Sequence, residues 1–473
     1  KYIAENSKLC QYGAMKWQCE KIYSVKSVRV GPFCLPNLHE KKNLEVPSPF
    51  VAATEGTIVP MFSAPSMNCG MGLITSMLTK NDVNEKFFEE FSRLMRREVS
   101  PPYSRFQTAL LHLGFAKRPH KKYDLTRKEL EDVILHGASA VMAKYKLPEE
   151  ILARIEYGGS LFSETEKQRV DFSRILPHAS YTNGRHDMGF NFGGNHFLET
   201  HYVEEIADEE AARKFGLQKN QVVFFYHGGG GHATYHLGRY FARRAKNTWL
   251  EKSVLFWRKL FFHFGAREGL RNARTRWRYY FSCRLFPEIH LNTAEGQRLL
   301  QSIKAALNFG FAFRAALFAR VRDALVDMGH TPDVVSLLYD AAHNTIFEEE
   351  HGGSRLTVHR QDAMVARKDT PIFIAGYNNT RSYIGIGTGN DGSSLGSVSA
   401  SAAQTIKKID APGASMLNEK YTTLIYRHKE PLIKKAEHIT DEGLLAIARE
   451  FEEDGIIKPV AFIRPLAVIK GPR

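Results

Sequence analysis

An α+β fold, one large domain of mixed sheets flanked by helices, is what this 473-residue sequence predicts. Three observations lead there. Helical and strand patterns are intermixed without a regular βα repeat, which argues against a doubly wound sheet. No Pro-, Gly- or Ser-rich linker divides the chain. With 43% apolar and 25% charged residues, the composition is globular and ample for a sizeable core. Disordered chains, collagen-like repeats and disulfide miniproteins are excluded on the same grounds.

In chain order, residues 1–27 read as an N-terminal extension without clear period, and the domain is expected over 28–473. Residues 28–75 read as short strands and turns punctuated by Pro and Gly. Apolar periodicity predicts helices over 82–97, 127–145, 148–157, 204–215, 240–263, 295–327 and 332–345. Asn81 or Asp82 is placed to cap the first, ahead of the stripe Phe87, Phe88, Phe91, Leu94. Strands are predicted over 221–226, 355–359, 371–375 and 382–387, and the alternating stretch 458–470 reads as one or two more.

No run of 18 or more uncharged apolar residues occurs, so no membrane-spanning helix and no membrane partner are expected. Five cysteines, odd in number and without a CxxC pair, argue against a disulfide framework and for a reducing compartment. The start at Lys1 and the basic balance fit a cleaved organellar presequence, hence a mitochondrial or other organellar matrix. A disordered upstream tail in a cytoplasmic protein fits equally.

The net charge of +14 is concentrated. Between Arg239 and Arg284 stand thirteen basic residues against Glu251 and Glu268, interleaved with aromatics that include three of the four tryptophans. Basic groups neutralise phosphates, and aromatic and guanidinium planes stack on unpaired bases. The segment 239–284 is therefore a candidate RNA contact, structured or single-stranded, through Arg243, Arg244, Lys246, Trp249, Arg258, Lys259, Arg271, Arg274, Arg276 and Arg278. A pair of amphipathic helices with core aromatics would show the same pattern.

Four short segments carry chemistry: Ser66-Met67-Asn68-Cys69, Gly194-Asn195-His196-Phe197, the His227 that ends a strand before Gly228–Gly231, and Asp340-Ala341-Ala342-His343. One thiol and several imidazoles at strand ends form a ligand set for a borderline transition metal. Together, and in this order, these segments resemble the RtcB family of RNA-splicing ligases. The resemblance runs from about Val28 to Gly471 and includes Leu35–His39, Phe192–Glu199, Ala306–Arg314, His359-Arg360 and Arg464–Gly471.

It implies an RtcB-like domain that seals RNA 2′,3′-cyclic phosphate or 3′-phosphate ends to 5′-hydroxyl ends, using manganese and GTP through a guanylylated histidine. It also implies metal ligation by Cys69, His196, His227 and His343, and nucleotide contacts from Asn195, Phe197, Glu199, Ser382 and Lys470. Yet the departures fall on the chemistry. The family's Asp-x-x-Cys turn has Ser66 for its aspartate, and the Pro-Asp-x-His turn has Asn37. After His227 the family's Gly-Ser-Arg-Gly has become Gly228–Gly231, without the phosphate-binding arginine, and Tyr377 replaces a small serine. Above all, the stretch Asn390–Ser401 contains neither the nucleophilic histidine nor the arginines of the guanylylation motif. No catalytic residue is thus assigned. The expectation is a degenerate ligase, holding one Mn or Zn ion, that binds RNA and serves a ribonucleoprotein such as an organellar ribosome with other proteins. The alternative is an active GTP- and manganese-dependent ligase with a rearranged nucleophile.

Overall fold

The computed structural model describes residues 21–41, 44–99, 107, 119–186, 188–242, 248–265, 270–282, 286–377, 379–392, 394–409, 418–427, 434–438 and 440–471. Among them, two sheets organise the molecule, and the architecture is α+β. The larger sheet has nine strands, with a main path Pro371–Ile374, Ser382–Gly387, Ile457–Lys470, Phe197–Ile206, Gln221–Gly228, Gly70–Thr79, Val335–Ala342. Asn418–Arg427 pairs in parallel with the end of Ile457–Lys470, and Lys434–His438 pairs with it in turn. The second sheet is antiparallel, in the order Val28–His39, Ser48–Thr54, Ser354–Gln361, Asn344–His351.

The helix Ala294–Asp327 has 34 residues and is apolar on nearly every face. A helix with no polar face belongs inside the protein, and this one packs among Phe224, Tyr226 and Leu337 of the large sheet and the helices outside it. Thr293 opens it, its hydroxyl accepting from the Gly296 N–H at 3.0 Å.

Several expected helices change character. The apolar run over 332–345 is two strands, Val335–Ala342 and Asn344–His351, after a short turn at Pro332–Val334. A continuous buried run carries no period that separates helix from strand, and here pairing with Gly70–Thr79 decides. Residues 204–215 split at Asp208, which caps a helix Glu209–Phe215 after the strand ends at Ile206. Residues 148–157 form tight 3₁₀ turns, and the helix begun at Arg127 stops at His136 before Gly137, with φ +61°. Of the expected 240–263 helix, Trp249–Phe264 is helical, a separate helix His232–Tyr240 ends where it was to begin, and residues 243–247 lie outside those described. Ile22 and Val25, read as extension, are buried in a cluster with Phe50 and Phe62; residues 1–20 lie outside those described.

Candidate metal and nucleotide site

Three strands of the large sheet bring their ends together. Gly70 pairs with Gly228 on one side and Ala342 on the other, so register alone places Cys69, His227 and His343 at one point. Cys69 Sγ lies 3.0 Å from His227 Nε2 and 3.1 Å from His196 Nε2. His343 Nε2 is 2.9 Å from His227 Nε2. The ligand atoms of Cys69, His227 and His343 all fall within 4.8 Å of one another, and all three residues are buried.

The far sides of the rings determine what the near sides are. His196 Nδ1 lies 3.2 Å from the Asn191 carbonyl and His227 Nδ1 3.3 Å from that of Asn195. A carbonyl only accepts, so Nδ1 carries the proton and Nε2 turns a bare lone pair toward the thiol. His343 Nδ1 faces Asp362 Oδ1 at 3.5 Å, an electrostatic contact longer than a good hydrogen bond. Burial lowers the pKa of His196 and of His343 to about 4 and drives His227 well below the usual histidine range. Neutral imidazoles and a sulfur converging within 4.8 Å in a buried pocket can each turn a lone pair toward one cation. The donor set therefore fits a transition-metal ion. Burial also pushes the Cys69 thiol up to about 12, with Arg314 pulling the other way, so metal binding must displace the thiol proton.

The cysteine turn is held from behind. Arg314, fully buried in the long helix, grips Asp340 through two bonds of 2.7 and 2.8 Å and donates to the Asn68 carbonyl and amide oxygen at 2.7 and 3.0 Å. Tyr226 donates to Asp340 at 2.7 Å. Asn68 sits at φ +53° and its amide reaches the Leu307 carbonyl. A Cβ on Gly70 would stand 2.5 Å from the Ala341 oxygen and 2.6 Å from Arg314 Cζ, so only glycine fits between the cysteine and its support.

The cluster forms one wall of a cavity of about 770 Å³. Asn195, Phe197, Glu199 and Lys470 line it. Lys470 donates to the His196 carbonyl at 3.2 Å and lies 5.1 Å from the Phe197 ring. Burial lowers its pKa, with Glu199 opposing. Ser382 is outside the lining; it is buried, and its hydroxyl accepts from the Gly376 N–H at 3.0 Å, supporting the turn that presents Tyr377.

Two residues escaped the sequence reading. Asp362 lies between His343 and Lys41, whose ammonium is 2.7 Å away. Burial alone would raise its carboxyl, but Lys41 and then His343 outweigh it and hold the pKa well below the usual carboxylate range. Its signal was its place two residues beyond His359-Arg360. Lys41 stands two residues after His39 and also lines the cavity.

The substitutions find different uses. Asn37 Oδ1 accepts from the backbone N–H groups of Gln404 and Thr405, both at 2.9 Å. Its oxygen supports the start of the helix Ala403–Ile409, a task for which its missing charge is immaterial. Ser66 does line the cavity, its hydroxyl 3.2 Å from that of Thr234. From the guanylylation stretch, Ser401 reaches the lining, with Ala403, Gln404 and Lys407 just beyond it. His359 is buried elsewhere, accepting from the Val59 N–H at 3.0 Å. Outside the cluster, the one lining histidine among the described residues is His39, its Nδ1 2.9 Å from the Asn37 carbonyl.

The basic segment divides. Arg243, Arg244 and Lys246 lie outside the described residues. Trp249, Arg258, Arg271, Arg274 and Arg278 are exposed. Lys259 and Arg276, also expected as RNA contacts, are buried instead. Lys259 is 6% exposed and donates to the Ala242 and Tyr280 carbonyls at 2.9 and 3.0 Å. Arg276, 4% exposed, pairs with Glu295 at 2.8 Å. Both close helix ends or neutralise a buried acid, uses that charge counting cannot separate from a solvated face.

Comparison with known proteins shows the family. The family model described as tRNA-splicing ligase RtcB matches residues 18–471. The chain is 25% identical over 444 residues to the tRNA-splicing ligase RtcB of Methanococcus maripaludis, covering 88% of this chain and 82% of that protein. For the Thermococcus kodakarensis protein of the same name, identity is 25% over 456 residues, covering 89% and 83%. The Methanopyrus kandleri protein is 26% identical over 442 residues, a match that spans 85% of this chain but 41% of that longer protein.

Proposed function

Because the chain belongs to the RtcB family, whose members are metal-dependent RNA ligases, we propose that it is an RNA-binding member that keeps one metal site and has lost the sealing reaction. It would then act as a structural or assembly component of a ribonucleoprotein, an organellar ribosome being the kind of particle its charge suits. The observation that carries this reading is the cavity wall at 401–407. Ser401, Ala403, Gln404 and Lys407 stand there, and none offers an imidazole nitrogen to take GMP. A second loss, the carboxylate at Ser66, removes a hard anionic ligand beside Cys69 and leaves a sulfur and imidazole set. That set favours a single soft-to-borderline ion, zinc before manganese.

When bound, such an ion neutralises phosphate charge. The chain's own groups do the rest. Lys41, Lys407 and Lys470 give the cavity positive walls for a phosphate-bearing RNA end. Arg314 and Asp340 fix the cysteine turn, and the Asn191 and Asn195 carbonyls hold two rings in the ligand tautomer.

A second reading, an active GTP-dependent ligase, is favoured by one observation: His39 lines the same cavity as Glu199 and Lys470. Burial lowers its pKa, so the ring is neutral and nucleophilic near pH 7. The deciding experiment incubates purified protein with labelled GTP and manganese, denatures it and measures retained label, beside an intact relative. The expected result is no adduct and one metal ion per chain by mass spectrometry. An acid-labile adduct that disappears in His39→Asn would overturn the first reading in favour of the second.

A further inference from the structure

The helix Trp249–Phe264 carries an apolar seam that the described fold leaves open. Leu250, Val254, Trp257 and Phe261 are 66%, 44%, 57% and 72% exposed. Their spacing is four, three, four, the interval that keeps side chains in line when one helix lies along another. Trp249, at 82%, extends the seam at its start. The helix's opposite face is committed inward: Lys259 and His263 are buried, and His263 stacks on Tyr280 with ring centroids 4.1 Å apart. Thr248 and Glu251 form a capping box, so the helix is well started without any partner.

Charge says what could cover the seam. Lys252 and Arg258 are exposed on this helix, Arg274 and Arg278 on the adjoining Ala273–Tyr280, and Arg271 just ahead of that second helix, which is joined to the first through Phe256, Trp277 and Phe281. Glu251 is the one carboxylate among described residues 248–265 and 270–282. A second copy of the chain would set these cations against themselves. RNA would satisfy the cations and stack on the tryptophans, but bases make no use of Leu250 and Val254 in register with the rings. An amphipathic helix flanked by carboxylates satisfies the aliphatics, the aromatics and the charges together.

We propose that the Leu250–Val254–Trp257–Phe261 seam is a docking groove for an acidic amphipathic helix of a protein partner. The seam spans about three turns, so about a dozen partner residues suffice.

The test uses three fluorescent 21-residue peptides against the full chain. One has heptads with leucine at a and d and glutamate at e and g, one replaces the glutamates by lysine, and one is the acidic peptide broken by two central prolines. Anisotropy should show the acidic peptide binding at least tenfold more tightly than either control. Tryptophan emission should shift on binding, since Trp249 and Trp257 lie in the contact. Leu250→Asp/Phe261→Asp, made at exposed positions and checked for an unchanged Tm, should weaken binding at least tenfold. Equal binding of the three peptides, or an unaffected double variant, would overturn the proposal. So would loss of affinity for a 20-nucleotide oligouridylate in that variant together with displacement of the peptide by the RNA, which would make the seam an RNA platform. Micromolar self-association abolished by the variant would assign the seam to a second copy.

Discussion

Glu349 shows how a single buried carboxylate braces two neighbouring strands of the second sheet. Its two oxygens meet the Arg360 guanidinium, and His351 Nε2 lies 3.0 Å away. Burial alone would raise its pKa; Arg360 outweighs that and brings it to about 2. A folded-state pKa below the ordinary value of 4.5 means stability present above pH 4.5 and lost as pH falls toward 2. The shift corresponds to about 3 kcal/mol. Glu349→Gln leaves Arg360 buried and unpaired, and should cost about 3–5 kcal/mol at pH 7. Urea melts over a pH series should show the gap between the two proteins closing between pH 4.5 and 2; a gap constant with pH would contradict the pairing. At this scale, Cys69, His196, His227 and His343 were legible because strand-end thiols and imidazoles are unusual together. Asp362 and Lys41 were not, because a carboxylate and an ammonium acquire meaning only when a loop folds one against the other.

The elements around the cavity separate two substitutions that look alike in sequence. Asn37 replaces a carboxylate but points its oxygen at the first N–H groups of the helix Ala403–Ile409. Ser66 replaces a carboxylate on the cysteine turn itself. Asn37→Ala should therefore lower stability by about 1 kcal/mol, while Asn37→Asp should leave both stability and metal content unchanged. Ser66→Asp should raise manganese content per chain, read by mass spectrometry after dialysis. A rise in the Asn37→Asp protein, or none in Ser66→Asp, would reverse these assignments. Elements with a clear period, such as Glu85–Arg97 and Ala294–Asp327, match their sequence reading to within three residues. The apolar run at 332–345 could not be read the same way, since its strand state depends on a partner 261 residues earlier, Thr75 opposite Ser336.

For the molecule as a whole, the +14 charge is unevenly useful. Buried guanidiniums such as Arg276, Arg298 and Arg314 belong to the interior, where the buried carboxylates Glu295 and Asp340 pair with them, so the positive excess is left to the surface and the cavity. The cavity walls hold Lys41, Lys407 and Lys470. If the RNA end enters there, Lys407→Gln should reduce the slope of log affinity against log salt by about 0.7, the share of one single-strand phosphate. Titrations of a single-stranded RNA between low and moderate salt would read it, and an unchanged slope would place the RNA elsewhere.

The same topology sets terms for biosynthesis. Ile457–Lys470 lies in the middle of the large sheet, between Ser382–Gly387 and Phe197–Ile206. Strands made early in translation must wait, edges unpaired, until a segment near the end of these 473 residues leaves the ribosome. Lys470 rides on that strand, so the cavity is completed by the same late event that closes the sheet. A nascent chain stalled before it would hold the cysteine and the histidines without the lysine wall, and would depend on chaperones that cover strand edges.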